Sequence, residues 1–249
     1  MKLFIIDNWK RLLAGVLIIG AAGVLGMAGY IYNIYHSPIM SNDAENSSII
    51  MIPRGSTFDS VTADLREKGM LPHPRLFRYL SKQLKVHSRV QSGEFEIKHR
   101  WNTYELLQFL ISGKSIRHRI TIPEGNNFAE IAERLFHAQL ADKEILMSLK
   151  NDPELLLKTG VPEATSLEGF LFPETYFFSR VETEQQILSA MIAQYRRVFN
   201  ADFQQRAEEI GMREYEVLTL ASIVEKETGV PEERGEIADV VRLPRFVRN

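Results

Sequence analysis

The hydrophobic and polar positions of the N-terminal part predict a membrane anchor. Residues 12–32 contain no charged side chain, and about 20 apolar residues in a helix are enough to cross a bilayer core. Lys10 and Arg11 precede this run directly and the next charge is Asp43, an asymmetry typical of an N-terminus on the cytoplasmic side. The pattern therefore predicts three segments: a cytoplasmic tail (1–11), a transmembrane helix (12–32) and a flexible linker (33–47).

A cleaved signal peptide is the alternative explanation of this apolar run. The apolar region of a signal peptide is about 7–15 residues long and ends at small residues. The run here is longer, and Tyr30 and Tyr32 stand at its end. A retained single-pass anchor is therefore favoured, with the rest of the chain outside the cytoplasm.

Beyond the linker, the pattern of apolar and polar positions repeats once. Residues 52–58 and 122–128 both read I-P-x-G-x-x-F, 70 residues apart. Each copy follows a strand-like run and precedes a helical pattern, with polar capping residues at 56–57 and 126–127. Two copies are too few for a solenoid, so they predict two small units built in the same way.

The periodicity predicts an α+β fold in two parts after the linker. Residues 48–118 read as a strand-helix-helix-strand-helix module, and residues 119–249 read as a mainly helical domain. The helices predicted in that second part span residues 128–138, 142–150, 183–198, 202–210 and 213–228. Proline and glycine residues between positions 152 and 162 indicate loops there.

Composition narrows the possible functions. The net charge of −2 and the pI of about 6.3 do not indicate a nucleic-acid partner. The chain has no cysteine, which excludes disulfides and thiol ligands, and its six histidines lack the spacing of a zinc site. The sequence therefore implies neither a metal nor any other cofactor.

Two glutamates, Glu225 and Glu227, end the last helical pattern. At about 100° per residue they lie near opposite borders of the apolar stripe that contains Val217, so only one of them can face a given pocket. The paired carboxylates of glycosidases both point inward, about 5–9.5 Å apart. Glu225 and Glu227 point apart, so they are not such a pair. One half-buried carboxyl could serve alone as a general acid. The alternative is that both glutamates belong to a solvent-exposed helix end and have no catalytic function.

An aromatic segment around Pro173 is the other unusual feature. Residues 170–178 include five aromatic side chains, and the proline prevents a regular helix there. Such a segment either fills a core or stacks on sugar rings. Core packing is the favoured interpretation.

Four stretches of the chain resemble the endolytic murein transglycosylase family. They are L-A-S-I-V-E-K-E-T at 220–228, L-E-G-F-L-F-P-E-T-Y at 167–176, S-G-E-F at 92–95 and I-P-E-G at 122–125. The resemblance implies a membrane-anchored lyase with a LysM-like module at 48–118 and a catalytic domain at 119–249. It implies cleavage of the β-1,4 bond after N-acetylmuramic acid in nascent peptidoglycan strands, without water, to give 1,6-anhydro ends that can terminate glycan elongation.

The resemblance also assigns residues and partners. It makes Glu227 the catalytic acid and base, buried beside the aromatic segment, and leaves Glu225 nearer to solvent. Substrate-binding residues are expected among Glu168, Phe170, Phe172, Tyr176 and Glu225. The expected partners are peptidoglycan strands, the bacterial cell (inner) membrane and penicillin-binding synthases, with the catalytic part extracytoplasmic or periplasmic.

The C-terminal sequence departs from the family pattern. The family continues with a helix and then a long further stretch that completes the domain, whereas here Pro244 would break that helix and the chain reads as C-terminally truncated. Residues from Val241 onward are therefore expected to pack poorly. The alternative function that follows is a catalytically inactive, membrane-tethered protein that binds peptidoglycan or acts as a scaffold.

Overall fold

The computed structural model describes residues 2–39, 46–86, 90–227 and 233–238. The chain divides into two compact units, an N-terminal unit (Met1–Ile116) and a C-terminal unit (Arg117–Asn249). The predicted weak packing of residues from Val241 onward lies outside the described residues. The elements of the N-terminal unit are α1 (Lys2–His36), β1 (Ser47–Ile52), α2 (Phe58–Glu67), α3 (Pro74–Gln83), β2 (Gly93–Lys98) and α4 (Thr103–Ser112).

Helix α1 corrects the transmembrane prediction. Among the residues that the structure describes, no helix has the length and apolarity needed to cross a membrane. The prediction of an N-terminal transmembrane helix over residues 12–32 is therefore wrong.

The core of the N-terminal unit is built on a two-stranded sheet. β1 and β2 are antiparallel with Ile50 opposite Phe95, and alternate residues of both strands point into the core, as period-two patterning requires. Helices α2, α3 and α4 contribute the buried side chains that cover this face, including Leu65, Phe77 and Leu107. The order of elements agrees with that predicted for 48–118, while the LysM-like identity of this unit stays a prediction.

The C-terminal unit combines a short sheet with several helices. Its elements are β3 (His118–Thr121), α5 (Phe128–His137), α6 (Lys143–Ser148), α7 (Pro153–Thr159), β4 (Thr175–Phe178), α8 (Glu184–Val198), α9 (Ala201–Glu209) and α10 (Glu214–Glu227). β3 and β4 are antiparallel, with Ile120 opposite Tyr176. The main core joins this sheet to α5, α6, α7 and α8. The sequence predicted neither α7 nor β4.

The two copies of the sequence repeat adopt the same local structure. β1 leads into a turn where Gly55 has φ +75°, and β3 leads into a turn where Gly125 has φ +78°. Thr57 then caps α2, and Asn127 caps α5. Both helices end alike, with Met70 N–H donating to Leu65 O and Leu140 N–H donating to Leu135 O. The prediction of two similarly built units is therefore confirmed for the strand, turn and helix of each copy.

Asn127 should contribute more to stability than its neighbour Asn126. Its side chain accepts from the N–H of Glu130 (3.0 Å), whose carboxylate accepts from the N–H of Asn127 (2.8 Å), which together form a capping box. We expect Asn127→Ala to lower the free energy of unfolding by about 1 kcal/mol, measured by urea denaturation. Asn126→Ala is the control, because Asn126 makes no hydrogen bond with the described residues. Equal losses in the two variants would contradict the capping assignment.

Candidate active site at the end of helix α10

The N-terminal end of α10 is fixed by a partly buried polar cluster. The carboxylate of Glu214 accepts a hydrogen bond from the hydroxyl of Tyr195 (2.8 Å) and forms an ion pair with Arg196. Burial, and secondarily the hydrogen bond to Glu214, raise the pKa of Tyr195 far above its usual value. Tyr195 therefore stays a neutral donor, and α10 is anchored to α8 by a charge-assisted network.

The middle of α10 packs on a small aromatic core. Val217 and Leu218 lie against a cluster that includes the buried Phe170 and Tyr195. The side chain of Leu218 covers Gly169 so closely that a Cβ at this glycine would lie 3.2 Å from Leu218 Cδ2. Gly169 also has φ +84°, a conformation that favours glycine. Segment 166–174 therefore touches α10 at a glycine where another residue would be strained and would require Leu218 to shift by a few tenths of an ångström.

The C-terminal end of α10 meets the Pro-Glu-Gly turn of the second repeat copy. Lys226 Nζ donates to the carbonyl of Gly125 (3.1 Å), and Glu225 Oε1 lies 3.8 Å from where a Cβ of Gly125 would be. Arg234 lies 3.9 Å from the carboxylate of Glu124. The structure thus gathers acidic and basic side chains around the exposed end of this helix.

Glu227 lies at this end of α10, but it is exposed. Among the described residues it makes no hydrogen bond and no ion pair. Val224 is the one buried residue of α10 in the described part of the chain, and the three residues that follow it to the end of the helix are exposed. The expectation that Glu227 is largely buried beside the aromatic segment is therefore wrong. Glu225 is exposed, as expected, and the catalytic role of Glu227 stays a prediction.

Glu168 stabilises the start of helix α5. Its Oε1 accepts from the N–H of Phe128 (2.9 Å) and its Oε2 lies 2.9 Å from Lys150 Nζ. A carboxylate at a helix N-terminus satisfies a free amide and interacts favourably with the helix dipole. These contacts give Glu168 a structural role, and its role in substrate binding stays a prediction.

The aromatic residues predicted to bind substrate differ in accessibility. Phe170 is fully buried and packs edge-on against Tyr195, with ring centroids 5.2 Å apart. It offers no surface to a sugar, so core packing is the correct interpretation of this ring. Tyr176 donates to the carbonyl of Phe172 (2.6 Å), and burial raises the pKa of its phenol far above the usual value. Phe172 remains half-buried, and ligand contact by Phe172 and Tyr176 stays a prediction.

The sequence did not indicate the charged residues that surround the glutamates. Glu124 stands at the variable position of the I-P-x-G-x-x-F repeat, where the first copy has Arg54. This difference between two otherwise matching copies could have indicated from the sequence that Glu124 has a function of its own. The contact between Lys226 and Gly125 joins residues about one hundred positions apart and has no local signal.

Comparison with known proteins identifies the family. The sequence profile of the YceG-like family matches residues 50–245. A protein of Streptococcus pneumoniae named endolytic murein transglycosylase is 25% identical over 245 residues, covering 87% of this chain and 44% of its own length. A protein of Bacillus subtilis with the same name is 25% identical over 219 residues, covering 81% of this chain and 59% of its own length.

A solved structure and the chain lengths complete the comparison. A YceG-like protein of Listeria monocytogenes aligns with 76% of this chain and 66% of its own, at 23% identity and a TM-score of 0.42. This chain spans about half the length of the curated relatives that it matches. The family profile covers most of this chain, and the chain therefore belongs to the YceG-like family.

Proposed function

We propose that this chain acts on peptidoglycan as a lytic transglycosylase. The names of its relatives support this activity. The observation that carries the proposal is the position of Glu227, an exposed carboxyl at the end of a helix whose other end and middle are firmly packed. A long glycan strand cannot enter a closed pocket, so it can reach only a carboxyl that lies on an open surface.

In the proposed reaction Glu227 acts first as acid and then as base. Its carboxyl gives a proton to the oxygen that links C1 of N-acetylmuramic acid to N-acetylglucosamine, and the C1–O bond breaks. The carboxylate then takes the proton from the C6 hydroxyl of the same muramic residue, whose oxygen forms a bond to C1. The products are a 1,6-anhydro end and a free hydroxyl on the released glycan. One carboxyl suffices because the substrate supplies the nucleophile, unlike in the two-carboxylate hydrolases.

The proposed substrate also suggests where the protein works. Peptidoglycan lies outside the cytoplasmic membrane, so the catalytic part would act there. Growing strands are made by penicillin-binding synthases, and an enzyme that cuts nascent strands at the β-1,4 bond could end their elongation. Crosslinking in cells followed by identification of captured proteins tests this part, and failure to recover a synthase would count against it.

The test of the activity is the chemistry of the new glycan ends. Purified protein is incubated with isolated glycan strands, and the products are analysed by mass spectrometry. We expect ends that are lighter than the reducing ends by one water molecule, because the reaction is intramolecular. Reducing ends would indicate a hydrolase and contradict the proposed mechanism.

A peptidoglycan-binding protein without catalysis is the second candidate. It is favoured because no described residue forms a hydrogen bond or an ion pair with Glu227, so nothing in the described part of the chain holds its carboxyl in position for proton transfer. In that case the wild-type chain would bind isolated glycan strands in a pull-down but produce no new ends. Appearance of anhydro ends with the wild-type chain excludes this candidate.

A further inference from the structure

A cavity of about 970 Å³ lies in the N-terminal unit, outside the candidate active site. It lies where the last turn of α2 meets the first turn of α3. Arg66 and Glu67 line it from α2, and Arg75 and Arg78 line it from α3. A cavity of this volume is in the range that holds small-molecule ligands.

The charged residues of this cavity are mainly cationic. Three arginines and one glutamate line it, and these four side chains together carry a net charge of about +2. The side chains of Arg66 and Arg75 form no hydrogen bond or ion pair with the described residues. Arg78 is 3.1 Å from Asp59, but both side chains are largely exposed, so this pair contributes little. Two cationic groups are thus available to an anion.

The backbone at the start of α3 adds to the positive potential of the cavity. His73 provides no side-chain cap and the first turn of α3 contains no acidic residue. The N–H groups of Arg75 and Leu76, which follow Pro74, therefore have no capping side chain. The neighbouring helices α2 and α4 are each capped by a polar side chain. Free amides at a helix start attract anions, and the arginines of the cavity attract anions as well.

From these charges we infer that the cavity binds a ligand that carries a phosphate group. A phosphate monoester has a charge of about −1.5 to −2 near pH 7, which matches the cavity, whereas a single carboxylate has half of that charge. One guanidinium group can donate two parallel hydrogen bonds to two oxygens of the same phosphate. The site belongs to neither the glutamates of α10 nor the glycan chemistry proposed for them.

The volume of the cavity indicates that the ligand is larger than the phosphate itself. Uncharged walls formed by Pro72, Pro74, Leu76 and Tyr30 are left for the rest of the molecule. Such a ligand could be a soluble phosphate monoester or a lipid headgroup that ends in a phosphate monoester. Both carry the same phosphate group, and binding experiments can distinguish them.

The test uses the full chain and two charge-matched double variants. Arg66→Ala with Arg75→Ala removes the two arginines of the cavity whose side chains have no partner among the described residues. Arg54→Ala with Arg100→Ala removes two exposed arginines of the same unit that do not line it. Binding of inorganic phosphate and of glycerol 3-phosphate is measured by calorimetry at low salt. We expect affinity to fall at least about tenfold in the first variant and less than about twofold in the second.

Further probes distinguish the ligand source from nonspecific charge effects. Succinate has a similar charge, but that charge is divided between two separate carboxylates and cannot be concentrated between the arginines as in one phosphate group, so it should bind at least about tenfold more weakly than glycerol 3-phosphate. Vesicles that contain phosphatidic acid, a lipid with a phosphate monoester headgroup, would identify a lipid headgroup if they bind the wild-type chain but not the cavity variant, whereas binding of the soluble phosphates alone would identify a soluble ester. Equal losses in both variants, equal binding of succinate, or no saturable binding of any phosphate probe would overturn the inference.

Discussion

Replacing Glu227 with glutamine should reduce the rate of anhydro-end formation by about 10²- to 10⁴-fold, the contribution typical of a general acid and base. Glutamine keeps the size of the side chain but has no proton to give at the glycosidic oxygen. Folding should be almost unaffected, because Glu227 is exposed and makes no contact with a described partner. The measurement is the initial rate of anhydro-end formation on isolated glycan strands, followed by mass spectrometry.

Glu225→Gln is the matched control for this variant. It removes the same charge from an exposed position on the same turn of α10, so a nonspecific electrostatic effect would appear in both variants. We expect less than about a tenfold loss for Glu225→Gln, because a neighbouring charge affects the rate without transferring the proton. A large loss in Glu225→Gln with an active Glu227→Gln would move the catalytic role to Glu225.

Features that depend on a few neighbouring residues were predictable from the sequence. The capping box that starts α4 involves Asn102 and Glu105, three positions apart, and the start of α5 has the same pattern. The repeated turn could be recognised because Gly55 and Gly125 fill positions with positive φ, where other residues are strained. Such local preferences act before tertiary contacts form, so a pattern in the sequence indicates them directly.

The two elements that the sequence missed show where local patterns fail. Pro153 was interpreted as a loop residue, yet proline is well tolerated at the first position of a helix, and Asp152 caps α7 there. β4 lies in the aromatic segment and is stabilised by pairing with β3, where Thr121 is opposite Thr175. Partners more than fifty residues apart cannot be inferred from the periodicity of either strand.

The accessibility of the candidate site residues also depended on tertiary structure. Periodicity placed Glu225 and Glu227 at the borders of an apolar stripe, but it could not show how far the aromatic core extends along α10. The core reaches Leu218, which packs over Gly169, and not the last turn. The same core encloses Phe170, whose sequence neighbours Glu168 and Gly169 are exposed. Exposure therefore changes from one residue to the next in this segment, and motif membership alone cannot assign contact with a ligand.

Phe170→Ala should be among the most destabilising substitutions in the C-terminal unit, at a cost of about 3–5 kcal/mol. The ring is fully buried, packs against Tyr195 and belongs to the cluster that holds the middle of α10. Its removal would leave a cavity and release the helix that carries both glutamates. The measurement is urea denaturation, combined with hydrogen exchange of the α10 amides, which should lose protection in the variant.

Phe177→Ala is the control that separates packing from the mere loss of an aromatic ring. Phe177 lies in the same aromatic segment, but its side chain is 53% exposed, so its substitution should cost about 1 kcal/mol or less. If Phe170 acts only through packing, the activity of Phe170→Ala should fall in proportion to the unfolded fraction. It should return when cooling or a stabilising osmolyte refolds the variant.

A Phe170→Ala protein that is fully folded but inactive would contradict this. It would show that the ring contacts the substrate in a more open conformation of the protein.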